Sequence, residues 1–452
     1  MIEKIRASYW LKSGSFSVLS QFSNVFFGFI NFYFLLRILD KNDFGVWTLF
    51  LSVATFMELV KNGFITSPLV RYSMVEEKRE YTNILSASLV LNMVVTAFQI
   101  VTILSLSFFL SDVWSSPQLQ NLFLIFLVAT VLLIPATHFS AIQQANLNFK
   151  GNLYSNIARQ FTFFVFVSIS YWFDIKFELW HLAVIHSFSI LVSVLVAYYN
   201  VRTFLSFSFT VSRKWIAELA QYGKYTFGTN ISSTVLRNVD TWMLGAMLSP
   251  AAVTIYNPAM RIANIVEVPT VSLSSIFFPK LLSRFATEGA PAAKDMYEKS
   301  VGVLFAFMFP VVLVTIVLAD PIVNFVAGEG FDETVDILRI AMVTGLIIPF
   351  NRQVGVTLDA MGKAKTNFYF VLRNAGLNIF LSYFYIQYFG IIGAAYGMLT
   401  TFVFSFAYNQ FYIQRLIGVN FLNIFKHAFL FQKKFIFFVL DFVLSRKVNR
   451  VD

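Results

Sequence analysis

Seven charged side chains stand at or near the middle of stretches that are otherwise apolar: Glu58, Lys61, Arg237, Asp240, Arg261, Glu267 and Arg352. They are the residues of this chain best placed to do chemistry. A charge at membrane depth costs from about 2.5 kcal/mol upward, so each is a functional candidate by default. Two readings are open. Glu58 with Lys61, and Arg237 with Asp240, stand three residues apart, so each pair shares a helical face and can neutralise itself. Alternatively, these helices line a hydrated cavity. Arginine offers a planar fork of donors suited to phosphate oxygens. On that reading Arg237, Arg261, Arg352 and Lys61 would hold an anionic head group, and Asp240, Glu58 or Glu267 would carry a coupling proton or sodium ion. Arg37 ends a stretch without charge from Ser13 to Leu36. It is either a gate residue or a side chain that snorkels to the interface.

Other chemistry is not offered. His138, His181, His186 and His427 have no metal-ligand spacing. Gly328-Glu329-Gly330 lacks the following lysine of a phosphate-binding loop. No constellation brings a nucleophile, a base and a metal together, so the expectation is a protein that is not an enzyme and holds no resident cofactor or metal.

Composition says which elements must position these charges. Of 452 residues, 57% are hydrophobic, 18% aromatic and only 13% charged, about half of the roughly 25% typical of a soluble domain. That excludes two or three soluble domains, and disordered, coiled-coil and disulfide-stapled classes, the last because Cys is 0. The expected class is an all-α polytopic membrane protein. A crossing helix needs about 20 mostly apolar residues. Twelve segments qualify, at 13–36, 44–68, 82–110, 118–142, 152–173, 178–200, 221–248, 252–280, 299–319, 335–358, 367–388 and 391–414. The first is too long, and lacks the cleavage site, for a signal peptide.

The net charge of +10 would ordinarily raise nucleic acid as a partner; in a membrane protein it is a question of location. Of 34 Lys and Arg residues, 26 fall in, or at span ends next to, the N-terminus, the even-to-odd loops and the C-terminal stretch, 3 fall on the other side, and 5 are left within spans: Lys61, Arg237, Arg261, Arg339 and Arg352. This positive-inside asymmetry predicts both termini in the cytoplasm. The stretch 421–444 is apolar but broken by Lys426, Lys433, Lys434 and Asp441, and reads as a basic amphipathic helix on the membrane surface rather than a further span.

The two halves repeat. Laying Leu39 on Leu248 brings Trp47 onto Tyr256, Glu58 onto Glu267 and Arg71 onto Lys280; further on, Pro135 falls on Pro349 and Arg159 on Arg373. The expected layout is a six-helix lobe over 1–200, a cytoplasmic linker over 201–220, a second six-helix lobe over 221–415 and the basic tail over 416–452. Two such lobes in parallel repeat around a central cavity are the architecture of an alternating-access transporter. The run Gly390-Ile-Ile-Gly393-Ala-Ala-Tyr-Gly397 would let two helices approach closely.

Three segments carry a family resemblance. Leu39-Asp-Lys-Asn-Asp-Phe-Gly45-Val-Trp-Thr-Leu resembles the first-hairpin signature of Wzx-type polysaccharide exporters. Val239-Asp240-Thr-Trp-Met-Leu-Gly245 with Tyr256-Asn-Pro-Ala259 resembles the hairpin opening that family's second half. Leu358-Asp-Ala-Met-Gly362-Lys, then Gly390-Ile-Ile-Gly393-Ala-Ala, is similar to its later spans. The likeness implies a flippase in the bacterial cytoplasmic membrane that carries undecaprenyl-diphosphate-linked oligosaccharide from the inner to the outer leaflet. It implies the bilayer and the pathway's polymerase and glycosyltransferases as partners, and no nucleic acid. The first span lacks the arginines of lipid II flippases, which favours O-antigen, capsule or exopolysaccharide. A cation-coupled multidrug exporter of the same superfamily is the alternative, with cationic substrates that an Arg-rich cavity disfavours. A major-facilitator solute transporter shares the two-lobe layout, but the loop from Arg71 to Glu80 lacks that family's glycine-and-arginine pattern.

Overall fold

A computed structural model of the chain describes residues 2–75, 78–206, 208 and 212–448. Residues 207 and 209–211 of the expected linker and 449–452 of the expected tail lie outside them. Among the described residues every regular element is a helix. In order these are α1 (Ile2–Ile38), α2 (Lys41–Lys61), α3 (Ser67–Val75), α4 (Lys78–Val113), α5 (Gln118–Ala145), α6 (Phe149–Trp172), α7 (Leu179–Val201) and α8 (Arg213–Met247). Then come α9 (Pro250–Glu288), α10 (Ala290–Val317), α11 (Ala319–Ala327), α12 (Asp332–Ala360), α13 (Ala364–Phe389), α14 (Ile391–Ile417) and α15 (Phe421–Val448). A π-turn, Asn62–Thr66, joins α2 to α3 as one rod.

Each expected span lies on one such rod. Seven are long and apolar enough to cross a membrane on length and composition alone. The others, α6, α8, α9, α12 and α13, are more polar because they carry Arg159, Arg237 with Asp240, Arg261 with Glu267, Arg352 and Arg373. The fold is that of an all-α, multi-pass membrane protein. The turns are set by local chemistry. Asp40 caps α2 by accepting from the Asp43 amide at 2.8 Å, and Asn148 caps α6 through the Gly151 amide at 3.0 Å. Gly418 ends α14 in the left-handed conformation that suits glycine.

The chain divides into two compact units. The first is Met1–Asn238 with Ser249–Thr254, and the second is Val239–Leu248 with Ile255–Asp452. In the first, the core beneath α3 to α5 gathers Ile65, Leu69, Ile84, Leu85 and Ile142 with Trp215 and Leu219. Trp215 also donates its indole N–H to Glu80 at 2.6 Å. The end of the segment expected as a linker is thus built into the first unit's wall. The first-hairpin glycine, Gly45, is in backbone contact with Pro250, and Thr254 donates its hydroxyl to the Lys41 carbonyl at 2.6 Å.

In the second unit Gly393 and Gly397 of α14 sit directly on the backbone of α13 at Tyr385 and Ser382, the close approach that small residues permit. The tail departs from expectation. Instead of lying apart on a surface, the start of α15 runs alongside α10. Buried Glu298 accepts from the Asn420 amide at 2.7 Å and the Asn423 side chain at 3.0 Å. Ile424 and His427 close over Gly302, and Gln432 donates to the Ala306 carbonyl at 3.1 Å. Residue numbers rise together along both helices, so they run parallel. Lys426, Lys433 and Lys434 are exposed.

Candidate functional site

Among the described residues of the first unit, a charged cluster inside the expected spans is built from α2, α6 and α7. Glu58 forms a bidentate ion pair with Arg159, at 2.6 Å and 3.1 Å, and the ring Nε2 of His186 lies 3.3 Å from the same guanidinium. The expected neutralisation of Glu58 by Lys61 gives way to this longer-range pair. The physical reason is twofold. An arginine fork makes two charge-assisted bonds where an ammonium makes one. Lys61 is also required elsewhere, since its Nζ donates to the Thr130 carbonyl of α5 at 2.8 Å. Pro135 lies one turn on and has no amide to offer its helix. Asn92 likewise donates to the Ile134 carbonyl at 3.0 Å, so two side chains brace α5 around its proline.

Lys61 is 0% exposed. It is a helix brace, and its burial takes it out of the set of cations that could meet a head group. By contrast the Arg159 and Glu58 side chains keep 26% and 19% of their surface accessible. Arg159 is the residue that sequence reasoning missed. It falls inside the span expected at 152–173 but near its end, where a basic residue reads as a loop charge. Its alignment with Arg373 in the internal repeat was the signal that could have found it.

Two polar groupings of the second unit gather the expected site residues. On α9 and α12, Glu267 meets Arg352 at 3.0 Å, and the side chains are 29% and 31% exposed. On α8, buried Asp240 accepts from Ser382 at 2.8 Å and Tyr256 at 3.5 Å. Asn378, also buried, donates to the Ser382 hydroxyl at 3.3 Å, and its amide oxygen has no hydrogen-bond partner among the described residues. Gly397 packs on Ser382, so the close α13–α14 contact sets where that hydroxyl points. Asp240 is thus held by hydroxyls, while Arg237 is exposed; the expected i,i+3 pairing is not what holds the carboxylate.

The other candidates scatter. Arg261 is half-buried on α9. Arg339 joins Asp320 at 2.7 Å and Asp336 at 3.1 Å in an exposed cluster, where acids of α11 and α12 satisfy it. Arg37 donates to the Tyr33 carbonyl at 3.1 Å and lies over the Tyr33 ring, 3.5 Å from its centroid, resting on its own helix. Arg373 binds Asn409 at 3.1 Å and Asn374 at 3.0 Å, between the rings of Tyr408 and Phe370. Part of the polar face of α1 serves packing: Ser20 accepts from Asn156 and Asn24 from Gln160.

The repeat gives this geometry a pattern. Glu58 and Glu267 are repeat mates, and each holds an arginine. The arginines are not mates. The offset that lays Pro135 on Pro349 puts His138 opposite Arg352, and Arg159 opposite Arg373. The acid recurs, and the helix supplying its partner changes.

Comparison with known proteins fits this architecture. The sequence profile described as "Polysaccharide biosynthesis protein" matches residues 34–336. The lipopolysaccharide biosynthesis protein WzxC of Escherichia coli (strain K12) is 23% identical over 389 residues, covering 82% of this chain and 74% of its own. Among solved structures, the lipid II flippase MurJ in an inward closed conformation superposes with a TM-score of 0.73 at 16% identity, covering 94% of this chain and 92% of its own. An inward-facing multidrug resistance MATE family transporter of the MOP superfamily gives 0.73 at 13% identity, covering 87% and 95%. Both likenesses concern the fold.

Proposed function

The chain belongs to the polysaccharide biosynthesis protein family, and on that premise we propose that it is a flippase for undecaprenyl-diphosphate-linked oligosaccharide repeat units. It would carry them from the cytoplasmic to the outer leaflet of the bacterial cytoplasmic membrane by alternating access, for O-antigen, capsule or exopolysaccharide assembly, with the pathway's glycosyltransferases and polymerase acting before and after it. The observation that carries this reading is the Glu267–Arg352 pair, which is charged, at membrane depth and about one-third open. A charge so placed does not face hydrocarbon, so it marks a water-filled wall. Arginine there suits a diphosphate, and Arg261 on α9 of the same unit has the same preference for anions.

Energy input falls to Asp240. Its carboxylate, the Ser382 and Tyr256 hydroxyls and the unpartnered Asn378 oxygen make a buried, oxygen-rich cluster that suits a proton or a sodium ion. The positive-inside asymmetry supports a cytoplasmic N-terminus. The test is deletion of the protein in its own host. Loss of surface glycan together with accumulation of lipid-linked units on the cytoplasmic face is the expected result. Loss of glycan with no lipid-linked intermediate would place the protein at another step.

A further inference from the structure

Resting on the flippase reading, we propose that Arg159 is a second anion-binding arm, masked by Glu58 and uncovered when a phosphate displaces that carboxylate. An ion pair that serves packing alone is best sealed, as the neighbouring Lys61 is at 0% exposure. The Arg159–Glu58 pair is left open to 26% and 19%, and at membrane depth the open side faces water.

The bonding geometry points the same way. Both terminal nitrogens of Arg159 are spent on Glu58, in the fork arrangement that a phosphate accepts equally well. His186, at 3.3 Å on the NH2 side, fixes the plane of the fork from α7, so the guanidinium stays aimed after its carboxylate leaves. The repeat adds an independent point. The acid recurs as Glu267 and again holds a part-open arginine, although that arginine comes from a different helix. The recurring element is therefore a carboxylate covering a guanidinium.

Such a cover has a physical use. An arginine left without a counter-charge inside a span is costly, and one that binds a diphosphate without competition releases it slowly. A carboxylate that returns to the arginine lowers the energy of the empty protein and speeds release. Glu58 is then a positioning residue whose removal tightens binding and slows transport.

The experiment measures inorganic pyrophosphate binding to the purified full chain in lipid nanodiscs, by calorimetry, alongside surface glycan in cells. Glu58→Gln keeps shape and hydrogen bonding but removes the competing charge. It is expected to bind pyrophosphate tighter by on the order of tenfold while surface glycan falls. The charge-free double variant Glu58→Gln/Arg159→Gln, which leaves no buried charge uncompensated, is expected to bind more weakly than wild type. Unchanged or weaker binding in Glu58→Gln, with Arg352→Ala still weakening binding, overturns the masking while leaving the flippase reading intact. Wild-type affinity in the double variant overturns it as well. No pyrophosphate binding in wild type or Glu58→Gln overturns both.

Discussion

Gln432 donates to the carbonyl of Ala306, the residue four positions before Pro310. That carbonyl is the one a proline at 310 leaves without its helical donor. The tail helix α15 therefore supplies, from outside, the hydrogen bond that α10 cannot make for itself. In lipid this matters more than in water, because nothing else can satisfy the group.

Replacing Gln432 with leucine keeps the apolar stem and removes the donor. It should lower the stability of the purified protein by about 1–3 kcal/mol, read as thermal unfolding in nanodiscs. Equal stability would mean that α15 is an appendage and not part of the second unit.

The contact between Gly397 and Ser382 sets a second expectation. A Cβ at position 397 would collide with the backbone and hydroxyl of Ser382, and overpacking of this kind costs about 1–3 kcal/mol. Since Ser382 holds Asp240, Gly397→Val should impair transport as well as stability. Loss of stability with full transport would separate the helix contact from the carboxylate.

Lys61 and Arg352 were read together as anion ligands, and the structure separates them. Lys61→Met should leave pyrophosphate affinity within about twofold of wild type, while Arg352→Ala weakens it. A comparable loss in both would return Lys61 to the binding set.

Asp240→Asn keeps the shape and one acceptor oxygen for Ser382, turns the oxygen that accepts from Tyr256 into an amide donor, and abolishes the charge. The folded protein should persist, and export should no longer respond to collapse of the proton or sodium gradient. Wild-type export that is itself indifferent to both gradients would remove the coupling role from Asp240.

Much of the fold was legible because its signals are local. Apolar length located each expected span, whereas the caps Asp40, Asn148 and Gly418 were seen only once the helices were in place. The docking of α15 was hidden because its lysines pattern like a surface helix. Only the partner helix shows that Asn423 and Gln432 are needed by Glu298 and Ala306. The site was half legible. Glu58, Glu267, Asp240 and Arg352 declared themselves by charge in apolar surroundings. Their partners did not, because i,i+3 spacing proposes a neighbour in sequence, whereas Arg159 reaches Glu58 from a helix 101 residues away. Ser382 and Asn378 carry no charge and gave no signal.

The central claim is tested most directly by flipping itself. Purified protein in liposomes, supplied with undecaprenyl-diphosphate-linked oligosaccharide in one leaflet, should move it to the other, and Arg352→Ala should slow that movement by about tenfold or more. Flipping at the wild-type rate in Arg352→Ala, Arg261→Ala and Arg237→Ala alike would contradict the diphosphate role assigned to these arginines. No flipping by the wild-type protein under an imposed gradient would contradict the account as a whole.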